Sequence, residues 1–530
     1  MSGFVTHLGR SRWLWICPGF LLFSRLPAML CPFELDRDES QMAAQAMRYA
    51  QDMTPWQSVE GETNGPLDSW FLLAAHDLGV PFNYISLHVL AALCLVAILM
   101  ATRAAVRRLT GDTAALVGLA AGSWWLALAP VEDLVHYSSE LIPVVFLCLG
   151  LATTLRAAQA ADGPDWRLGL LGGIFLGLAP WGKMQAGPVA LVLGLCAAAY
   201  GWRANGVPGR RYVGALAAGA ILPGALLLAW VAAAGAGEEF WRVYIVGGLY
   251  HGRSRPWGVH LRNFEDLIFW RASSPWFWDA GLLALGALWL RGWTGWRVVP
   301  SRTRWLAILW LAAGVFVALR PITQWIHYTL FCLPPLVLCA AVAAQIALGP
   351  GGGAGAEPSP QRVWIVLALG LLPLPAANFL HYHYYRAAEV MLLANRSHAF
   401  ARQVLLTQGV RRFVPQPRSL AVWGWAPSLY VDLGLPPATR NAVYAFLTDD
   451  NPSRDFLRAA FIRDLEHSAP EVIVDTEDNV FRGQRKTSPE TFPALAGYLR
   501  QHYLLLGHGE LRQTADYTLV IDIYRRRADL

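Results

Sequence analysis

Charged side chains are scarce in this chain. Asp, Glu, Lys and Arg together account for 15% of its 530 residues, whereas soluble domains carry about 25%. Hydrophobic residues make up 55% of the chain, and the mean hydropathy is +0.35. This composition excludes an ordinary soluble globular domain and predicts an integral membrane protein.

The chain also lacks the features that nucleic-acid recognition and cysteine chemistry require. Its net charge of +6 comes mostly from arginines scattered between apolar segments. Such arginines indicate membrane topology and contacts with lipid phosphate, and they do not form the basic face that binds nucleic acid. The cysteines show neither a paired framework nor a metal-ligand spacing, so we interpret them as small buried apolar residues. They lie at positions 17, 31, 94, 148, 196, 332 and 339.

What the chain does contain is a long series of apolar runs. Because a bilayer-spanning helix needs roughly 20 apolar residues, the sequence predicts about eleven transmembrane helices. We place them near residues 12–31, 70–100, 113–130, 138–155, 168–181, 185–201, 212–235, 276–291, 304–319, 326–347 and 362–380. No small-residue cleavage site precedes the charged stretch after the first run, so we expect a retained helix and no cleaved signal peptide.

Arginine clusters set the expected orientation. They follow the second, fourth, sixth and eighth spans and fall on one side of the membrane, which the positive-inside rule makes cytoplasmic. The N-terminus is then cytoplasmic. The loop at 31–69 and everything after residue 380 are then on the outer side.

Beyond residue 380 the apolar runs shorten and the share of charged residues rises. Three segments are typical of strands: 419–425, 471–476 and 517–524. Three others are typical of helices: 389–407, 454–467 and 489–504. This alternation predicts a small α/β domain at 381–530 after a transmembrane domain at 1–380. A Gly-rich run at 348–361 is a flexible linker by composition.

The first loop carries a cluster of carboxylates where the first apolar run ends. An ionised carboxylate at membrane depth costs roughly 2.5–3.5 kcal/mol on insertion scales, so we expect these groups to line a wet cavity or a reaction site. We select Asp38 as a general base that takes a proton from an attacking hydroxyl, with Asp36 and Glu39 as the other candidates. The alternative is that these carboxylates only stabilise the start of a helix through its dipole.

The order of several motifs resembles bacterial membrane glycosyltransferases of the C superfold, which include the protein O-mannosyltransferases and the lipid A aminoarabinose transferase. The first span is followed by the Asp38-Glu39 pair, an alanine-rich helix that ends near Tyr49, and a Gly-Pro-Leu run. Further matches are HYSSE at 136–140, GLAPWGKMQ at 177–185, His327-Tyr328 before Pro334-Pro335, and WGWAPSLYVDLGLPPATR at 423–440. The family's D-x-K-P-like segment is replaced by GETNGPLD at 61–68, so the resemblance leaves the acceptor class open.

The resemblance implies a catalytic carboxylate at Asp38, a polyprenyl-phosphate sugar as donor, inversion at the anomeric carbon, and a bacterial plasma (inner) membrane with the C-terminal domain in the periplasm. A lipid phosphate leaving group needs fixed cations in a low-dielectric site. Our candidates for binding it are Lys183, Arg253, Arg255, Arg320, His327 and Tyr328. The supporting candidates are Glu132, Asp133, His136 and Glu140.

Some roles stay open at the level of sequence. Lys183 is either a phosphate-binding cation or an interfacial lysine whose stem crosses apolar surface. The aromatic-rich loop at 236–275 is either an interfacial belt or a headgroup site. We predict no cofactor and no metal centre, because two adjacent carboxylates, Glu132 and Asp133, do not by themselves define one. Some relatives that use oligosaccharide donors employ a divalent metal, so the resemblance leaves metal dependence open.

The sequence therefore predicts a glycosyltransferase that moves a sugar from a polyprenyl phosphate to the hydroxyl of a glycan, lipid or protein acceptor, in contact with membrane lipid. The first alternative is a transporter or flippase of lipid-linked sugars. This alternative predicts functional carboxylates near the middle of the membrane and internal sequence repeats. The second alternative is a membrane scaffold whose domain at 381–530 binds a partner.

Overall fold

A computed structural model describes most of the chain. The described residues are 2–129, 134–202, 207–253, 256–270, 273–291, 293–321, 325–348, 398–478, 488–514 and 517–529. Three predicted segments lie wholly or partly outside these ranges. They are the span at 362–380, the first part of the helix at 389–407, and all but the first residue of the linker at 348–361.

The N-terminal part of the chain is almost entirely helical. Its first nine helices are α1 (Ser2–Met29), α2 (Arg37–Tyr49), α3 (Pro66–Asp77), α4 (Tyr84–Thr110), α5 (Asp112–Ala127), α6 (Leu141–Ala158), α7 (Trp166–Gly182), α8 (Ala186–Trp202) and α9 (Val207–Ala233). The next six are α10 (Gly237–Glu239), α11 (Gly248–His251), α12 (Trp257–Glu265), α13 (Ser274–Arg291), α14 (Ser301–Leu319) and α15 (Leu333–Leu348). Shorter π and 3₁₀ turns connect them at Phe240–Gly247, Asp266–Trp270, Trp293–Val298 and Ile326–Phe331.

Among the described residues, four helices are long and apolar enough to cross a membrane. They are Tyr84–Thr110, Leu141–Ala158, Val207–Ala233 and Ser301–Leu319. Shorter apolar helices occur at Leu14–Met29, Ala186–Trp202 and Leu333–Leu348. These helices make the chain a membrane protein, while the number of eleven spans stays a prediction.

The second predicted span, at 70–100, is wrong as a single helix. The structure divides it into α3 and α4, with a turn around Gly79. Gly79 has a φ of +95°, a conformation that glycine adopts without a steric penalty. Pro81 follows two residues later and lacks the N–H that a continuous helix would need.

The C-terminal part of the chain folds around a four-stranded sheet. Its helices are α16 (His398–Phe413), α17 (Ser428–Leu433), α18 (Ala445–Thr448), α19 (Arg454–Ser468) and α20 (Pro493–His502). Its strands are β1 (Leu420–Gly424), β2 (Val472–Asp478), β3 (Tyr503–Thr514) and β4 (Tyr517–Arg526). The strand order is β1-β2-β4-β3, in which only β1 and β2 run parallel. The three predicted strands are confirmed as β1, β2 and β4, whereas β3 was not predicted.

The sheet domain packs against the first loop. The Glu60 N–H donates to the Arg440 carbonyl at 2.9 Å, and the Glu34 N–H donates to Oε1 of Gln403 at 3.1 Å. Trp56 of the loop is buried in a cluster that also contains Trp423 of β1. These contacts bring the loop after β1 and the end of α18 close to the start of α2.

The same loop is fixed to the end of α7 by a close backbone approach. The Gly65 N–H donates to the Gly182 carbonyl at 2.6 Å, and residues 64 and 183 form an isolated β-bridge. A Cβ at position 65 would lie 1.8 Å from the Trp181 carbonyl oxygen. Only glycine fits this contact, which places the first loop beside Lys183.

Replacing Gly65 with alanine is therefore expected to push the loop away from α7. Forced overpacking of this kind costs about 1–3 kcal/mol, and we expect a lower unfolding temperature in lipid nanodiscs, measured by tryptophan fluorescence. Gly187→Ala is the matched control, because a Cβ there has no heavy atom within 4 Å. Equal unfolding temperatures for the two variants would contradict the contact.

Candidate active site

A small polar cavity lies where the first loop, the end of α7, the segment after α10 and the sheet domain meet. Its volume is about 100 Å³. We call it the Asp38 cavity. It is lined by Asp38, Gln41, Glu62, Thr63, Asn64, Lys183, Tyr250, His251, Trp325, Tyr328, Trp425, Ala445, Phe446 and Asp449.

Helix α2 positions Asp38 at the cavity. Asp36 is the N-cap, and its side chain accepts a hydrogen bond from the Asp38 N–H at 2.9 Å, which satisfies one of the free donors at a helix start. Alanine and methionine side chains, including Met42, Ala43 and Ala46, anchor the helix in the apolar core. The first turn is thereby held with Asp38 facing the cavity.

The Asp38 carboxylate lies in a setting that favours proton uptake. Burial and the neighbouring Asp36 carboxylate raise its pKa to about 6, although His327, His136 and Lys183 act in the opposite direction. Its Oδ2 is 3.6 Å from Nε2 of His327. A carboxylate with this pKa is ionised at neutral pH and is a better base than an ordinary aspartate.

The other two carboxylates of the first loop are placed differently. Asp36 is engaged in capping, and its Oδ1 is 3.9 Å from Nε2 of His136. Glu39 does not line the cavity. Its carboxylate accepts the Leu35 N–H at 2.6 Å and lies 3.0 Å from Nε2 of His88. Among the three candidate bases, Asp38 alone lines the cavity.

Lys183 is the cation of the cavity. It follows the last residue of α7 and is only 3% exposed, which does not fit an interfacial lysine that reaches into water. Its Nζ donates to the Ser139 hydroxyl at 2.6 Å and forms an ion pair with Glu140. The same ammonium lies 4.9 Å from the centre of the Tyr328 ring.

Two histidines and a tyrosine complete the basic side of the site. The His136 and His327 rings are perpendicular, with their centres 5.5 Å apart. Nε2 of His327 is 3.8 Å from Oε2 of Glu140. The Tyr328 hydroxyl is 3.4 Å from Nε2 of His251, a residue that was not among the predicted site residues.

Asp38, His136 and His327 could also hold a metal ion. One ligand atom from each lies within 4.8 Å of the others. Two imidazoles and one carboxylate suit a divalent transition metal better than magnesium or calcium, which prefer oxygen ligands. The residues present therefore fit such an ion, which would polarise a bound oxygen when present.

Two of the remaining candidates that the structure describes, Arg253 and Arg320, do not line the cavity. The Arg253 guanidinium lies 4.1 Å from the centre of the Tyr250 ring, at the margin of the cavity. Arg320 follows the end of α14 and lines a separate cavity of about 250 Å³ beside Gln185 and Phe316. Arg255, Glu132 and Asp133 lie outside the described residues.

Sequence reasoning did not select several lining residues. Glu62, Asn64, Trp425 and Asp449 belong to no predicted catalytic group, and Asp449 comes from the sheet domain. One signal was available in the sequence: Glu62 and Asn64 lie in the GETNGPLD segment at 61–68, which replaces the D-x-K-P-like segment of the family that the chain resembles.

No protein-family profile matches the chain, and no curated protein matches it. Comparison with solved structures does find similar chains. ArnT from Cupriavidus metallidurans, bound to undecaprenyl phosphate, aligns with a TM-score of 0.58 and 16% identity over 98% of each chain. The Archaeoglobus fulgidus oligosaccharyltransferase, tethered with an acceptor peptide containing the NVT sequon, gives a TM-score of 0.47 and 12% identity, covering 96% of this chain and 74% of that one. The arabinofuranosyltransferase AftD from mycobacteria gives a TM-score of 0.40 and 17% identity, covering 97% of this chain and 41% of that one.

The alignment with ArnT confirms the predicted fold: the chain has the architecture of the C-superfold membrane glycosyltransferases.

Proposed function

We propose that the protein transfers a sugar from a polyprenyl-phosphate donor to an acceptor hydroxyl at the outer face of a bacterial inner membrane. The observation that carries this proposal is that one cavity is lined both by Asp38, a carboxylate whose pKa is raised, and by the buried cation Lys183. A transfer reaction with an anionic leaving group needs both a base and a fixed positive charge. The structural neighbour ArnT, which binds undecaprenyl phosphate, supports a polyprenyl phosphate as the carrier.

In the proposed reaction, Asp38 accepts the proton of the acceptor hydroxyl as its oxygen attacks the anomeric carbon. The new carbon–oxygen bond forms as the bond from that carbon to the phosphate oxygen breaks, and the bonding electrons leave with the polyprenyl phosphate. Attack from the face opposite the leaving group inverts the anomeric centre. Lys183, with Tyr328 and His327 beside it, stabilises the negative charge of the departing phosphate.

This chemistry needs no metal in the steps assigned to Asp38 and Lys183. The set of Asp38, His136 and His327 fits an ion, however, so the transfer assay is run with and without EDTA. We expect transfer to persist in EDTA because Lys183 already supplies a fixed charge. Activity that disappears in EDTA and returns with zinc or manganese would assign a metal to the three side chains.

The experiment that tests the function uses full-length protein in nanodiscs. It is given radiolabelled polyprenyl-phosphate sugars and a membrane extract as acceptor, and label in product is measured. Transfer of label with an inverted anomeric configuration supports the proposal. Bound donor without product, together with movement of the donor across a proteoliposome membrane, would support the transporter or flippase alternative.

The pH dependence of transfer follows from the pKa of Asp38. Because burial and Asp36 raise this pKa to about 6, the carboxylate becomes protonated, and inactive as a base, as the pH falls through that value. We therefore expect kcat/KM to fall about tenfold per pH unit well below pH 6 and to level off above pH 7. A profile that stays flat down to pH 4.5 would contradict the assignment of Asp38.

A further inference from the structure

Helix α2, which carries Asp38 in its first turn, lies between two apolar cores. Met42, Ala43 and Ala46 belong to the core of the membrane helices, whereas Ala44 belongs to a core of the sheet domain. Three of these four side chains are single methyl groups, and hydrophobic burial has no preferred direction. Apolar contacts therefore hold α2 in place but do not fix its rotation about the helix axis.

A hydrogen-bond network joins α2 to the sheet domain. The Ser40 hydroxyl of α2 donates to Oε1 of Glu34 at 2.6 Å. The Glu34 N–H donates to Oε1 of Gln403 in α16 at 3.1 Å. Nε2 of Gln403 in turn donates to Oδ1 of Asp432 in α17 at 2.8 Å. These hydrogen bonds connect the sheet domain with Ser40, which lies two residues after Asp38.

The same network reaches the membrane helix α4. The hydroxyl of Tyr84, the first residue of α4, is 3.3 Å from the Ser40 hydroxyl. Tyr84 also interacts with the sheet domain: burial raises the pKa of Asp432, and hydrogen bonds of its carboxylate with Thr407, Gln403 and Tyr84 oppose that shift. Five residues thus link α2, α4 and the sheet domain. We call them the Glu34 network: Glu34, Ser40, Tyr84, Gln403 and Asp432.

Most of the Glu34 network is shielded from water. Four of its members are buried, with exposed fractions from 0% for Ser40 to 7% for Glu34. Hydrogen bonds are directional, and they are electrostatically stronger in a buried site than in water. A rotation of α2 would leave buried polar groups without partners, which costs free energy. The network therefore supplies the rotational constraint that the apolar contacts lack.

Ser40 is well placed to set the direction of the Asp38 side chain. Two residues correspond to about 200° of rotation at 3.6 residues per turn, so Ser40 and Asp38 project from nearly opposite sides of α2. With its side chains a helix has a radius of about 5–6 Å, so a rotation of about 10° moves a carboxylate by about 1 Å. A displacement of this size at a reacting group lowers a rate by up to about 100-fold.

We propose that the Glu34 network is a positioning device through which the docked sheet domain holds Asp38 at the reacting hydroxyl. This inference rests on the proposed function, because it takes Asp38 as the base. None of the five members of the network lines the Asp38 cavity, so they act through α2 and not by contact with the donor. Interrupting the network should therefore lower kcat and leave donor affinity unchanged.

The test uses three variants that interrupt the network in α2, in α4 and in the sheet domain. They are Ser40→Ala, Tyr84→Phe and Gln403→Met, and each removes a hydrogen-bonding group with little change in side-chain size. The assay is transfer in nanodiscs from the radiolabelled polyprenyl-phosphate sugar that the native protein uses. Each variant should lower kcat by about 10- to 100-fold and change the Kd for the donor by less than about twofold.

The double variant Ser40→Ala with Gln403→Met tests whether the network acts as one unit. Both substitutions act through Glu34, and the effects of residues in one hydrogen-bond network are not additive. We expect the double variant to lower kcat no further than the stronger of the two single variants. Losses that multiply in the double variant would overturn the network as a unit.

Tyr212→Phe is the matched control for Tyr84→Phe. The Tyr212 hydroxyl is buried and donates to the Thr154 carbonyl at 3.2 Å, so this variant loses a comparable hydrogen bond between α9 and α6. Its kcat should equal that of the native protein. Thermal unfolding in nanodiscs verifies that each variant is folded. Native kcat in all three network variants, or a loss confined to the donor Kd, would overturn the inference.

Amide hydrogen exchange of α2 separates this inference from the proposed function. The three network variants should exchange α2 amides about 2- to 10-fold faster than native protein, the effect of one lost hydrogen bond, whereas Tyr212→Phe should not. If the native protein transfers no donor, the transferase proposal fails, and faster exchange in the network variants still supports the network as the device that positions α2. Unchanged exchange in all three variants would overturn the network whether or not transfer occurs.

Discussion

Replacing Asp38 with asparagine is expected to lower the rate of transfer by about 10²- to 10⁴-fold, the range that a positioned general base contributes. Asparagine has the same shape but cannot take up the acceptor proton. Asp38 is the candidate base that lines the cavity, and its carboxylate lies 3.6 Å from the His327 imidazole. Donor affinity should change little, because Lys183 and Tyr328 are untouched. The measurement is label transfer in nanodiscs together with equilibrium donor binding.

Asp36→Asn is the matched control for that variant. Asparagine is as good an N-cap as aspartate, so α2 should stay in place and most of the activity should remain. The Asp36 charge is one cause that raises the pKa of Asp38, and its removal should therefore move the acidic limb of the pH profile to lower pH. If Asp36→Asn abolishes transfer while Asp38→Asn retains it, the base is Asp36.

The parts of this fold that local patterns determine could be predicted from the sequence. The strands at 419–425, 471–476 and 517–524 alternate with helical segments, and the structure has β1, β2 and β4 there. Segment 503–514 was missed because its start, Tyr503-Leu504-Leu505-Leu506, fits the end of a helix as well as a strand. Its pairing with β4 along nearly its whole length decides the conformation.

The chemistry of the site was predictable to the same extent. Short motifs located Asp38, His136, Lys183 and His327, which the structure brings around one cavity or directly beside it. That Glu62 and Asp449 line the same cavity could not be predicted, because the two segments come together only when the sheet domain packs on the first loop. Spacing along a chain carries no information about contacts between such distant segments.

Lys183→Met is expected to produce two separate losses. The first is donor affinity, which should fall by about 10- to 100-fold, because a hydrogen bond to a charged group contributes about 1.5–3 kcal/mol. The second is stability. Glu140 has no exposed side-chain surface and is ion-paired with Lys183, and removing one partner of a buried pair typically costs about 3–5 kcal/mol. Donor binding and thermal unfolding in nanodiscs measure the two losses.

The double variant Lys183→Met with Glu140→Gln separates these losses. The neutral amide removes the uncompensated buried charge, so the unfolding temperature should recover most of the difference from native protein. Donor affinity should stay low, because the cation that faces the phosphate is still missing. If donor affinity recovers together with stability, Lys183 holds the fold and does not bind the phosphate. Another cation would then have to bind the phosphate. The next residue to replace would be Arg320, which lines the neighbouring cavity.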